Sequence, residues 1–109
     1  MKYLVVGSQG PGWATPEEAA QLLKEVVVPG LDALTKLEAE KKILAGGVEI
    51  GDRAVAFIAE AASNEALDRM LREVPLWVRL KWTVTPIESF ESRAAEERRM
   101  LTRLRPAKR

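Results

Sequence analysis

The stretch from Ser63 to Ile87, S-N-E-A-L-D-R-M-L-R-E-V-P-L-W-V-R-L-K-W-T-V-T-P-I, constrains the fold most, because it holds a helix, a stop and a strand in succession. Leu67, Met70, Leu71 and Val74 recur at steps of three and four, the spacing of one buried helical face. Ser63 suits the cap of that helix, with Asn64 and Glu65 in its first turn. Pro75 ends it, having no N–H to donate and forcing Val74 out of helical geometry. From Val78 to Val84 the period changes to two. Val78, Leu80, Trp82 and Val84 alternate with Arg79, Lys81 and Thr83, so a strand is predicted there.

Upstream, K-Y-L-V-V-G-S over residues 2 to 8 reads as a first strand, rich in β-branched and aromatic residues and closed by Gly7 and Ser8. The loop Q-G-P-G-W-A follows. It lacks the spacing and the Lys-Ser/Thr of a phosphate-binding loop, so it reads as a connecting turn. Trp13 within it either covers a pocket or caps the core. Thr15-Pro16-Glu17-Glu18 is a helix start with a threonine cap, proline at the first helical position and glutamate three residues after the cap. An apolar stripe through Leu22, Leu23, Val26, Val27, Leu31, Leu34 and Leu37 carries the helix to near Lys42. Pro29-Gly30 interrupts it, predicting a kink or two helices meeting.

Leu44 to Ile50 and Arg53 to Ala61 then form the arms of a hairpin about a two-residue turn at Gly51-Asp52. Gly46-Gly47 marks a bulge or a close approach in the first arm. The second arm is apolar on both faces, as in a strand at the middle of a covered sheet. The order is strand, helix, strand, strand, helix, strand. This is the βαββαβ order of ferredoxin-like α+β domains, giving a four-stranded antiparallel sheet with both helices on one face. The other face would be left bare in one copy and predicts association with a second, as a dimeric α+β barrel. Residues 1–87 form this domain. Residues 88–109 form a C-terminal helical tail with glutamates early and arginines late, as suits the helix dipole, expected to contact its own domain or a neighbouring subunit.

The join at the end of the domain resembles that of the muconolactone isomerase family. Ser63-Asn64-Glu65-Ala66-Leu67, Leu71, Pro75-Leu76 and Val84-Thr85-Pro86-Ile87 carry the resemblance, which covers the second half of the domain and reaches the first half by topology. It implies the dimeric α+β barrel and a reaction of isomerase type. In that family the segment after the long helix is rich in Trp, Arg, His and Tyr; here it reads I-L-A-G-G-V-E-I-G-D-R-A-V.

Composition narrows the chemistry. The 109 residues contain neither Cys nor His, which excludes disulfides, thiolate metal sites and the usual base near neutral pH. No cofactor is called for. A net charge of +1 supplies no field to gather nucleic acid or an anionic membrane surface, and the acids interleaved in the basic tail point the same way. The apolar run at the start is too short for a signal peptide or a membrane span, so a cytoplasmic protein is expected.

A proton shift beside a carbonyl needs a base and a cation for an anionic group. Glu49, an isolated acid among apolar residues on a strand, is the candidate catalytic base, its other reading being an outward-facing strand acid. Arg79 and Lys81, on one strand face, are candidate substrate-binding cations, or charges that deter edge aggregation. Tyr3 and Trp13 are candidates to line an aromatic pocket, whereas Trp82, which shares its face with Val78, Leu80 and Val84, reads as a core residue before a pocket one. Two functions follow. One is a small isomerase-like enzyme, or a cofactor-free oxygenase or cyclase, acting on an apolar or aromatic-derived compound. The other is a non-catalytic binding or assembly module whose tail helix joins subunits.

Overall fold

The computed structural model describes residues 1–105. Its elements are β1 (Lys2–Ser8), α1 (Pro16–Leu22), a π-helical turn (Leu23–Val27), α2 (Val28–Ala39), β2 (Ile43–Val48), β3 (Val55–Glu60), α3 (Asn64–Arg72), a 3₁₀ turn (Trp77–Arg79), β4 (Lys81–Ile87) and α4 (Phe90–Leu104). The strands form one sheet in the order β2-β3-β1-β4, every pair antiparallel. This is the predicted ferredoxin-like α+β domain.

Alternation in the two central strands divides the sheet into two unlike faces. Tyr3, Val5 and Gly7 on β1 stand beside Ala59, Phe57 and Val55 on β3, and these residues are buried. Leu67 and Leu71 of α3 complete their core, with Leu34 and Leu37 of α2 packed against it. Both helical layers therefore cover one face. The opposite face carries Leu4 beside Ile58 and Val6 beside Ala56, flanked by Thr83 and Thr85 of β4. The residues that made β3 look covered on both sides are half-buried there.

The helix starts obey local chemistry. Thr15 Oγ1 accepts the Glu18 N–H at 3.1 Å and the Glu18 carboxylate accepts the Ala14 N–H at 2.9 Å, with Pro16 at the first helical position. Ser63 Oγ accepts the Ala66 N–H at 3.1 Å, and Ser89 Oγ the Ser92 N–H at 3.0 Å. The interruption expected at Pro29-Gly30 takes the form of the π-turn just before it. Pro29 brings no N–H for the Glu25 carbonyl, and the Val28 N–H reaches back to the Leu23 carbonyl instead. Gly30 is buried because a Cβ there would stand 2.4 Å from Leu76 Cγ.

Two boundaries differ from expectation. The strand predicted from Val78 begins at Lys81, because β1 ends at Ser8, opposite Lys81, and earlier residues have no ladder partner. They close a 3₁₀ turn in which the Arg79 N–H meets the Leu76 carbonyl at 3.0 Å. The Trp82 indole N–H pins that turn by donating to the Trp77 carbonyl at 2.9 Å. The hairpin loop also exceeds two residues, running from Glu49 to Ala54 between the paired Val48 and Val55. In β2 the register shifts between Ile43 and Ala45, a bulge that falls before the predicted glycine pair, whereas Gly46, at φ +153°, marks a close approach, a Cβ there standing 2.3 Å from Phe57 Cβ. The C-terminal tail is helical over Phe90–Leu104, as expected, its residues 106–109 lying outside the described ones, and α4 runs outward, so that the described residues measure 78 × 27 × 21 Å.

Candidate active-site cavity

A cavity of about 210 Å³ opens between the helical layer and the end of the sheet where the β2–β3 hairpin turns. Leu23, Val27 and Leu31 form its helical wall, at steps of four. Along a plain α-helix, steps of four drift round the axis, because a turn takes 3.6 residues. The wider π-turn offsets that drift and keeps the three side chains in line. Val48, Ala54 and Val55 supply the sheet side, Leu76 and Leu80 the floor, and Pro11 and Trp13 the mouth. The charged side chains on its border are Asp52 and Arg53. A smaller cavity of about 140 Å³ shares Leu31, Val48 and Val55 with it and extends toward Thr35, Glu38 and Gly46.

The glycine-rich loop after β1 is tied to this mouth. The Gly10 N–H donates to the Arg53 carbonyl at 2.8 Å, and a Cβ on Gly10 would stand 2.6 Å from that oxygen. The approach is too close for a side chain. Beside it, Asp52 Oδ1 accepts the Arg53 backbone N–H at 2.7 Å, which orients the turn. The loop thus has a connecting role, without a phosphate cradle, and carries Trp13 to the cavity with 51% of its surface exposed.

The residues predicted for a site do not converge. Trp13 lines the cavity. Glu49 lies past the end of β2, exposed in the hairpin loop, so it is neither buried nor on the strand. Arg79 lies in the 3₁₀ turn, bordering a groove with Gly12, Glu18 and Glu25, whereas Lys81 begins β4. They do not share a strand face. Tyr3 is buried at the far end of β1, where its hydroxyl donates to Asn64 Oδ1 at 2.6 Å. Trp82 meets Phe57 edge to face with centroids 6.3 Å apart, as a core residue. Asp52 and Arg53 escape sequence reasoning because one reads as a turn residue and the other as the first residue of a strand. The available signal is a charged pair between two apolar arms.

No protein-family model matches the chain, and no curated protein does. Among solved structures, that of muconolactone isomerase superposes with a TM-score of 0.66 at 22% identity, over 84% of this chain and 93% of the other. The chain has the muconolactone isomerase fold. A second structure of that fold, 5-chloro-2-hydroxyhydroquinone dehydrochlorinase from Burkholderia phenoliruptrix in complex with 2,5-dihydroxybenzoquinone, superposes with a TM-score of 0.62 at 19% identity, over 84% of this chain and 98% of the other. The fold that the resemblance implies for one copy of the chain is thus borne out. No helix among the described residues is long and apolar enough to cross a membrane, and no cluster of His, Cys, Asp or Glu among them is arranged to hold a metal.

Proposed function

We propose that this protein is an isomerase-like enzyme acting without a cofactor on a compact, ring-shaped apolar compound bound in the cavity between the π-turn and the β2–β3 hairpin. The observation that supports this most is the cavity itself. It is apolar apart from its border with Asp52 and Arg53, the pattern of a small-molecule site with few orienting polar groups. Its volume of about 210 Å³ exceeds the roughly 150 Å³ of an apolar cavity known to take up benzene. The two structural neighbours agree with the reading: one is a muconolactone isomerase, and the other holds a dihydroxybenzoquinone.

Proton transfer in such a reaction falls to Asp52, on the cavity border, or to Glu49, next to Val48 of its wall. Pairing of two copies through the bare sheet face belongs to the same proposal, with Leu4 and Ile58 at its centre. The alternative is a non-catalytic binding or assembly module, favoured by the projecting α4, whose Phe90, Leu101 and Leu104 are exposed. Native mass spectrometry of the purified protein tests both parts together. The expected result is a dimer or larger assembly carrying a small organic molecule. Should a compound bind and turn over, Glu49→Gln and Asp52→Asn decide which acid moves the proton. A protein that binds no ring compound at millimolar concentration, while assembling normally, is the assembly module.

A further inference from the structure

We propose that α4 is a self-pairing helix, which lies antiparallel against α4 of a second copy of this chain. The contact is separate from the cavity and from the bare sheet face, and depends on neither.

Along α4, Phe90, Ala94, Glu97, Leu101 and Leu104 recur at alternating steps of four and three. That is the heptad spacing of a seam between two paired helices. Among the described residues the seam has little cover: Phe90 is 97% exposed, Leu101 62% and Leu104 71%. Charge decides the partner and its direction. Residues 90–97 hold three glutamates and one arginine, whereas residues 98–104 hold three arginines and no acid. Parallel copies would set like charges side by side. Antiparallel copies set the acidic half of each helix against the basic half of the other. In that register Phe90 meets the partner's Leu101, and the two-fold axis repeats the contact. Glu97 then lies opposite the partner's Ala94, whose small side chain leaves the carboxylate room to keep Arg93, 3.7 Å away. Beside the seam Glu91 comes opposite the partner's Arg98. The ion pairs of α4 use Arg93, Glu97, Glu96 and Arg99, and neither Glu91 nor Arg98 has an ion-pair partner among the described residues.

A helix of 15 residues makes a short seam, marginal by itself, so the test is run at several hundred micromolar protein. The chain has no cysteine, and one introduced thiol therefore carries a spin label to one place. Glu96→Cys and Thr102→Cys are made separately in the full chain, and pulsed dipolar spectroscopy reads the distance between labels. The antiparallel register puts residue 96 of both copies beside the two-fold axis and offsets residue 102 by about 20 Å along it. The labels at 96 should be much the closer pair. Equal distances at both positions mean parallel helices, and no short distance at 96 means that α4 rests on another face of a second copy or on its own domain; either result overturns the proposal. Arg98→Glu should weaken the pairing about tenfold at low salt, and adding Glu91→Arg should restore it, the difference shrinking as salt is raised. Glu91 and Arg98 are exposed, so the core is left intact, and circular dichroism checks the helix. Pairing unmoved by Arg98→Glu, or lost in the charge-swapped double variant while the helix remains formed, also overturns the proposal. Sedimentation at micromolar concentration reads the sheet contact, so failure of that pairing is seen separately from failure of this one.

Discussion

Lys41 adopts a backbone conformation that the closure of a helix imposes on it. It sits in the left-handed region at φ +64°, where the end of α2 closes with the Lys42 N–H on the Leu37 carbonyl at 2.9 Å and the Lys41 N–H on the Glu38 carbonyl at 3.1 Å. Glycine normally occupies that place in such a closure. Lys41→Gly should therefore stabilise the protein by about 0.5–1 kcal/mol, the left-handed penalty being partly offset by the freer unfolded chain. Urea unfolding would show it as a raised midpoint at unchanged slope. Glu88 offers a second check. The Arg93 Nε–H at 2.6 Å and then the Ser92 hydroxyl at 3.2 Å donate to its carboxylate and hold it below the usual carboxylate range. A group depressed in the folded state contributes stability above its unfolded pKa and loses it as the pH falls through the folded value. The start of α4 should thus loosen only in acid, below the ordinary glutamate range. A carboxyl 13C titration of Glu88 that returned to the ordinary value in Arg93→Ala would confirm the cause.

Among the elements, the helical run from Pro16 to Ala39 does most to shape the cavity. Its cap at Thr15 and its stripe of leucines and valines are readable in the sequence, as is the disturbance at Pro29. A lost donor does not by itself select kink, break or π-turn; packing against the sheet does. Gly30 explains part of that choice, since it lets Leu76 from the α3–β4 connection lie against the helix. Gly30→Ala should push Leu76 into the cavity it floors. The expected outcome is a loss of about 1–3 kcal/mol in stability, as for other overpacked cores, with weaker binding of ring compounds. Chemical unfolding and a probe titration of the same sample would check both. The β4 boundary has a related cause. Apolar alternation from Val78 to Val84 marks residues able to form a strand, whereas the strand's start is set by the last β1 residue available to pair, Ser8.

At the scale of the whole molecule, the two faces of the sheet have opposite fates. Helices bury one, and in one copy no described element covers the centre of the other, where Leu4 remains 39% exposed. A greasy sheet centre rimmed by Thr83, Thr85 and the Lys2–Glu60 pair of neighbours suits self-association. Sedimentation velocity at micromolar concentration should show dimers or larger species for the wild type. Ile58→Asp should shift them toward single subunits, since it places a charge where two sheets would meet. Lone wild-type subunits under those conditions would refute the pairing.

The order of elements, the caps at Thr15 and Ser63, the stop at Pro75 and the βαββαβ topology are legible in the sequence by itself, because each depends on local backbone chemistry or on the period of the apolar residues. The candidate site is not. Glu49, Arg79, Lys81 and Tyr3 stand out by their chemistry and their place in a pattern, and only tertiary structure sets which side chains share a space. Trp13, Asp52, Arg53 and Leu76 come from different segments and meet around one cavity because chain folding brings the loop after β1, the hairpin turn and the α3–β4 connection to the same end of the sheet. No local period encodes that meeting.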